Sequence, residues 1–238
     1  MKTPLKLSVT QIRVFAADVI GIQHFRNPST TEKIREHYGF STFSSPFGGL
    51  PIGLEMGTSL QFNSGQFVYQ DRKGLVESLT IEERRILFTI EGSSEIAHGF
   101  FKDLRQMLEE LDIRQDKPPY EPLVVAEETV CIARFSFPFI ALLSEGLIEL
   151  QKEMKKAVEL SDTKVDLFPV SVKFAVRYLS IPLDLVRKKV SLSDKEISIE
   201  VRAKTDPGEQ IYFTKSPFSS DVHLRLLEDM EKNFNQSE

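Results

Sequence analysis

The side chains able to do chemistry in this chain are few and scattered. Four histidines, His24, His37, His98 and His223, lie far apart in the sequence. Nucleophilic catalysis needs a nucleophile held beside a base. None of the four stands in such a signature, and no Gly-x-Ser-x-Gly elbow is present. Two short pairs have the residue types of metal ligands. Glu95-Ile96-Ala97-His98 sets a carboxylate and an imidazole three positions apart, which puts both on one face of a helix. Di-iron carboxylate bundles use two such copies plus two further glutamates, whereas one copy occurs here. Asp221-Val222-His223 stands near a helix start, where the helix dipole alone favours an acidic residue. Closed sites take three or four ligands. Glu95 and His98 are thus the metal candidates, and the pattern predicts neither a metal nor a cofactor.

Phosphate cradles need a Gly-rich loop feeding a helix N-terminus, because backbone amides must point at the anion. Gly48-Gly49 and Gly53-x-x-x-Gly57 lead into strands instead and carry no Lys. The one cysteine, Cys131, sits among Val130, Ile132 and Ala133, where a free thiol behaves as a small buried hydrophobe. One Cys, and no apolar run after the charges of residues 1–7, predict a reducing, cytoplasmic compartment. No stretch approaches the roughly 20 apolar residues a membrane helix needs. The longest apolar block, Phe135 to Leu143, is interrupted by Ser136 and Pro138. With no catalytic constellation, the chain reads as a binding protein rather than an enzyme.

Three surfaces are candidates for that binding. The first is an irregular loop over residues 41–57, which holds four of the 12 glycines together with Phe43, Phe47, Leu50 and Met56. Such a loop either packs over the core or is a binding element. The second is a basic set, Arg187, Lys188 and Lys189, with Lys173, Arg177 and Arg202 on the outer face of the second sheet. It would serve a nucleic acid, with Phe43, Phe47, Phe213 or Phe218 to stack on bases. The net charge of -5 counts against it. Residues 1–119 carry 14 Lys and Arg against 15 Asp and Glu, and residues 120–238 carry 16 against 20, so neither half is basic. The third is a helix expected over residues 139–160, whose Leu143, Leu147, Leu150 and Met154 stripe suits either a sheet or a second copy of itself. A pocket between sheet and helices is the further alternative. It would make the chain a small-ligand protein or an enzyme.

The elements that must carry these residues fall into two similar halves, joined at Asp116-Lys117-Pro118-Pro119-Tyr120-Glu121-Pro122. We divide them as residues 1–117 and 118–238, with one continuous domain as the alternative. The first half opens with a strand over 6–20 that changes phase near Thr10-Gln11, as at a bulge. A helix follows between the Asn27-Pro28 cap and Gly39, then short strands to Ile90, then a helix from Ser93 or Ser94 to Leu111. The second half has a strand over 124–137, the 139–160 helix, and a strand from Val170 to Tyr178 whose alternation is the cleanest in the chain. Three more strands follow, over 188–192, 197–201 and 211–213, and a last helix from about Ser219. Each half is close to β-α-β-β-β-β-α, an α+β class with antiparallel sheets and helices packed on one face. A duplicated order of this kind is similar to the TATA-binding-protein-like architecture, in which two halves join their sheets into a curved saddle. The likeness is one of element order and by itself implies no function.

Overall fold

A computed structural model describes residues 4–25, 27–44, 59–158, 167–177, 194–203 and 205–235. The strands are β1 (Lys6–Val14), β2 (Thr42–Ser44), β3 (Leu60–Tyr69), β4 (Arg72–Ile81), β5 (Arg85–Glu91), β6 (Val124–Arg134), β7 (Ser171–Val176), β8 (Lys195–Val201) and β9 (Ile211–Ser216). The helices are α1 (Ile22–Phe25), α2 (Pro28–Tyr38), α3 (Ser94–Leu111), α4 (Glu145–Val158) and α5 (Ser220–Asn235). All nine strands join one antiparallel sheet in the order β2-β3-β4-β5-β1-β6-β9-β8-β7. The fold is α+β, and β1 and β6 pair over Lys6↔Ile132 to Val14↔Val124 at its centre.

Alternation sorts each strand into a covered and an open face. Val9 of β1, Phe62 of β3, Leu79 of β4, and Phe88 and Ile90 of β5 are fully buried on the covered face. Ile34 and Tyr38 of α2, with Ile96, Phe100, Leu104 and Leu108 of α3, pack over them. The α3 stripe recurs at helical spacing, as an amphipathic helix on a sheet requires. Helix α2 begins where the Asn27 side chain accepts the Ser29 amide at 3.0 Å, and ends where Gly39 turns into the left-handed region at φ 61°. In the second half, Cys131 and Ala133 of β6, Tyr212 of β9 and Leu227 of α5 form a smaller cluster. Because Leu7 lies opposite Cys131, α3 and α5 cover the same face of the sheet.

Four expectations need correction. The first strand ends at Val14 and has no bulge; its register with β5 runs unbroken from Ser8↔Glu91 to Val14↔Arg85. The apparent change of phase arises because polar Gln11 and Arg13, not Ile12 and Val14, occupy the covered face, at 0% and 7% exposure. The register break of the sheet lies in β4, between Val76 and Ser78. The 139–160 helix divides into a 3-10 turn at Phe139–Leu142 and α4, because the Ser144 carbonyl accepts the Leu147 and Ile148 amides and starts a new helix there. The expected covered phase of β7 is covered only in part: Val172 packs against the second cluster, but Phe174 is 59% exposed. The strand expected over 188–192 lies outside the described residues.

Candidate functional site

Polar groups converge inside the molecule where α3 and α5 begin above β1 and β6. Gln11 and Glu127 are cross-strand neighbours on the covered face. The Gln11 amide donates to one Glu127 carboxylate oxygen at 2.6 Å, and the Ser94 hydroxyl donates to the other. Arg13 donates to the Gln11 side-chain oxygen at 2.6 Å and lies 4.3 Å over the Phe101 ring. Burial depresses the Arg13 pKa from its ordinary value, and the nearby Glu127 charge opposes that shift. A carboxylate beside a helix N-terminus is favourable because the first-turn amides carry partial positive charge.

The helix caps above this carboxylate are exchanged. The Ser94 hydroxyl oxygen accepts the Ser220 amide at 2.7 Å, and the Ser220 hydroxyl oxygen accepts the Ser94 amide at 2.9 Å. Both serines are the first residues of their helices. Each hydroxyl therefore satisfies an amide of the other helix rather than its own. Glu127 has both oxygens engaged, and Ser94 is 5% exposed. The cluster therefore ties the starts of α3 and α5 to β1 and β6.

The metal candidates point apart. Glu95 reaches Arg72 at 3.4 Å, and His98 stands 3.7 Å from Glu127. Among the described residues, no three His, Cys, Asp or Glu side chains come together as a metal would need. His37 bonds to Asp103 at 3.0 Å on the surface, beside the Tyr38 hydroxyl on the same oxygen at 2.8 Å. His223 is buried, with Thr214 at 2.9 Å from Nε2 and Ser216 at 2.7 Å from Nδ1. Asp221, its neighbour in sequence, is exposed on the other side of α5. Burial pushes the Cys131 thiol up to about 11, against a bond with Thr214 that lowers it, so the reactive thiolate is suppressed.

Two of the three described members of the basic set are ion-paired. Lys173 lies on the open face and meets Glu200 at 3.0 Å and Glu196 at 3.5 Å, and Arg177 meets Asp194 at 3.1 Å. Arg202 is exposed just past β8. Lys6 and Lys215, on the same face, pair with Glu91 at 2.6 Å and Glu128 at 3.1 Å. Arg187, Lys188 and Lys189 lie outside the described residues, as do Phe47, Leu50 and Met56. Phe43 packs inward, with its ring 4.9 Å from that of Phe62.

The surface with an unfilled requirement is the apolar side of α4 and β7. Leu147, Leu150 and Met154 are 50%, 53% and 47% exposed, although they form the stripe by which α4 would pack. The Gln151 amide donates to the Leu167 carbonyl and draws residues 167–169 against the helix. Between them lies an open apolar groove of about 260 Å³, walled by the α4 stripe, Phe168 and Pro169. Val170 and Phe174, each 59% exposed, continue the surface onto β7. The sequence displayed this stripe, but a stripe alone does not say whether the protein's own sheet will cover it. No protein-family model and no curated protein matches the chain.

Proposed function

We propose that the chain is a non-catalytic binding or scaffold protein of a reducing compartment, whose docking surface is the apolar side of α4 and β7. The observation that carries this is the exposure of Leu147, Leu150 and Met154 at about half their area along one helical stripe. Scattered exposed leucines are ordinary, but a contiguous apolar patch marks an interaction surface. The first half closes its equivalent space: Ile34 and Tyr38 of α2 are 0% and 2% exposed. Among the described residues the first cluster holds 24 buried apolar residues and the second 7.

We read the two halves as related copies in the TATA-binding-protein-like element order. In support, β1 and β6 lie side by side at the centre of the sheet. From each, the chain runs out to an edge, at β2 or β7, and returns strand by strand to β5 or β9 before a closing helix. The nucleic-acid alternative has less support, because Lys173 and Arg177 already face carboxylates, and phosphate contacts require free cations.

Urea unfolding of dilute Leu147→Gln and Leu150→Gln tests the docking surface. Side chains that serve a partner rather than the core should change stability by no more than about 0.5 kcal/mol. A loss of roughly 2–5 kcal/mol, as for leucines removed from a core, would overturn the proposal.

A further inference from the structure

We infer that the occupant of this face is a second copy of the chain, docked with the two α4 helices antiparallel about a two-fold axis. This rests on the docking surface proposed above and adds the identity of the partner. Charge is the first argument. Helix α4 carries Glu145 and Glu149 in its first half with no basic residue, and Lys152, Lys155 and Lys156 against Glu153 in its second half. Lys152 pairs with Glu149 and Lys156 with Glu153 within the helix, each at 2.6 Å and exposed, so the helix is neutral as a whole, with Glu145 at its start and its lysines gathered toward its end. An antiparallel copy lays the acidic end of each helix beside the basic end of the other, whereas a parallel copy sets like beside like. Gly146 and Gln151, which flank the stripe, are uncharged and bring no repulsion to the seam. A partner for this surface therefore needs no complementary charge that the chain does not itself carry.

Area is the second argument. Six half-exposed side chains, Leu147, Leu150, Met154, Phe168, Val170 and Phe174, present one contiguous apolar patch, of which Phe168 and Phe174 alone offer on the order of 200 Å², at about 150–250 Å² for a whole aromatic side chain. A standard interface buries about 800 Å² per partner, so this patch with its rim is the size of one side of a dimer. Position is the third. β7 is the last strand of the sheet among the described residues, and a two-fold pairing buries the same patch twice and closes on itself. Leu150 lies midway between Leu147 and Met154, so the axis passes beside it and places Leu147 of one copy near Met154 of the other.

The test is light scattering on the eluted protein over a wide range of concentration, together with directed disulfides. The parent should elute with twice the 27.1 kDa chain mass. Leu150→Glu, at an exposed position that the fold does not need, should raise the dissociation constant by about 30-fold or more. Cys131 is fully buried and leaves a silent background for single cysteines. Under copper-phenanthroline, Leu150→Cys should cross-link to itself. Leu147→Cys and Met154→Cys should each stay uncross-linked alone and join to one another when mixed. A parent that is monomeric at every concentration overturns the inference. If the glutamine variants of the preceding section also leave stability unchanged, the docking surface survives that result with a different occupant. A dimer that persists in Leu150→Glu, or one in which Leu147→Cys cross-links to itself, also overturns it.

Discussion

Ser94 and Ser220 cap one another's helices. Each hydroxyl oxygen accepts the other's backbone amide, at 2.7 and 2.9 Å, across 126 residues of sequence. Ser93, the residue before α3, makes no side-chain cap bond of its own. The start of α3 is thus completed by α5, and the start of α5 by α3, so neither helix end is fully satisfied until the two halves are docked. An unsatisfied buried amide costs about 1–3 kcal/mol. Ser220→Ala should therefore destabilise the protein by about 1–3 kcal/mol, and Ser94→Ala by somewhat more, because it also removes a donor to Glu127. Urea titration of the two single variants and the double variant should give a coupling energy above about 0.5 kcal/mol, the level expected of residues in one network. Strict additivity would mean that the exchange is incidental.

The carboxylate beneath those caps supports a second prediction. Glu127 reaches the Arg13 guanidinium through Gln11, over two bonds of 2.6 Å. Removing one partner of a buried charge pair strands the other, at about 3–5 kcal/mol, whereas replacing both with apolar groups of similar size is often close to neutral. Glu127→Leu alone should therefore be strongly destabilising. Arg13→Met combined with Glu127→Leu should recover a large part of that loss, with Ser94 and Gln11 accounting for the remainder. Midpoints of chemical unfolding for the three variants decide it, and a double variant as unstable as the sum of the singles would exclude charge stranding.

How far these features could be read in advance depended on the range over which each is determined. Helix α2 is set by Asn27 at one end and Gly39 at the other, both local, and it appears where the sequence placed it. The same holds for α3, whose stripe of Ile96, Phe100, Leu104 and Leu108 faces the sheet. In β1, apolar alternation points to Ile12 and Val14. The covered face there belongs to Gln11 and Arg13, whose burial is tolerable only through Glu127, 116 positions away. Polar residues at every second position beside a buried Val9 are the signal that would have exposed the joint. Ser94 is legible as a helix start and Ser220 only as lying near one, but the amides their hydroxyls satisfy lie on a distant helix, and local capping rules do not reach that far. The α4 stripe is legible at Leu147, Leu150 and Met154, and its break from the preceding turn falls at Ser144, a residue type that commonly caps helices.

His223 gives the stability a pH dependence of definite sign. Thr214 donates its hydroxyl proton to the Cys131 carbonyl at 3.1 Å. Its oxygen is then left to accept from His223 Nε2–H, and Nδ1 accepts from Ser216. The ring is held neutral in this one tautomer. Burial pushes its pKa down to about 4 from the ordinary 6.5. The unfolded chain consequently takes up the proton first as pH falls. The contribution of the neutral ring is complete above pH 6.5, declines between 6.5 and about 4, and is lost below, for a total of about 3 kcal/mol. His223→Gln keeps a neutral donor and acceptor without a titrating ring. It should cost stability at pH 7 through imperfect packing, yet remove most of the decline between pH 7 and pH 4. Urea unfolding of parent and variant at both pH values measures that difference directly. If the two lose stability in parallel, His223 is already charged within the folded protein, and the tautomer assigned from Thr214 and Ser216 is wrong.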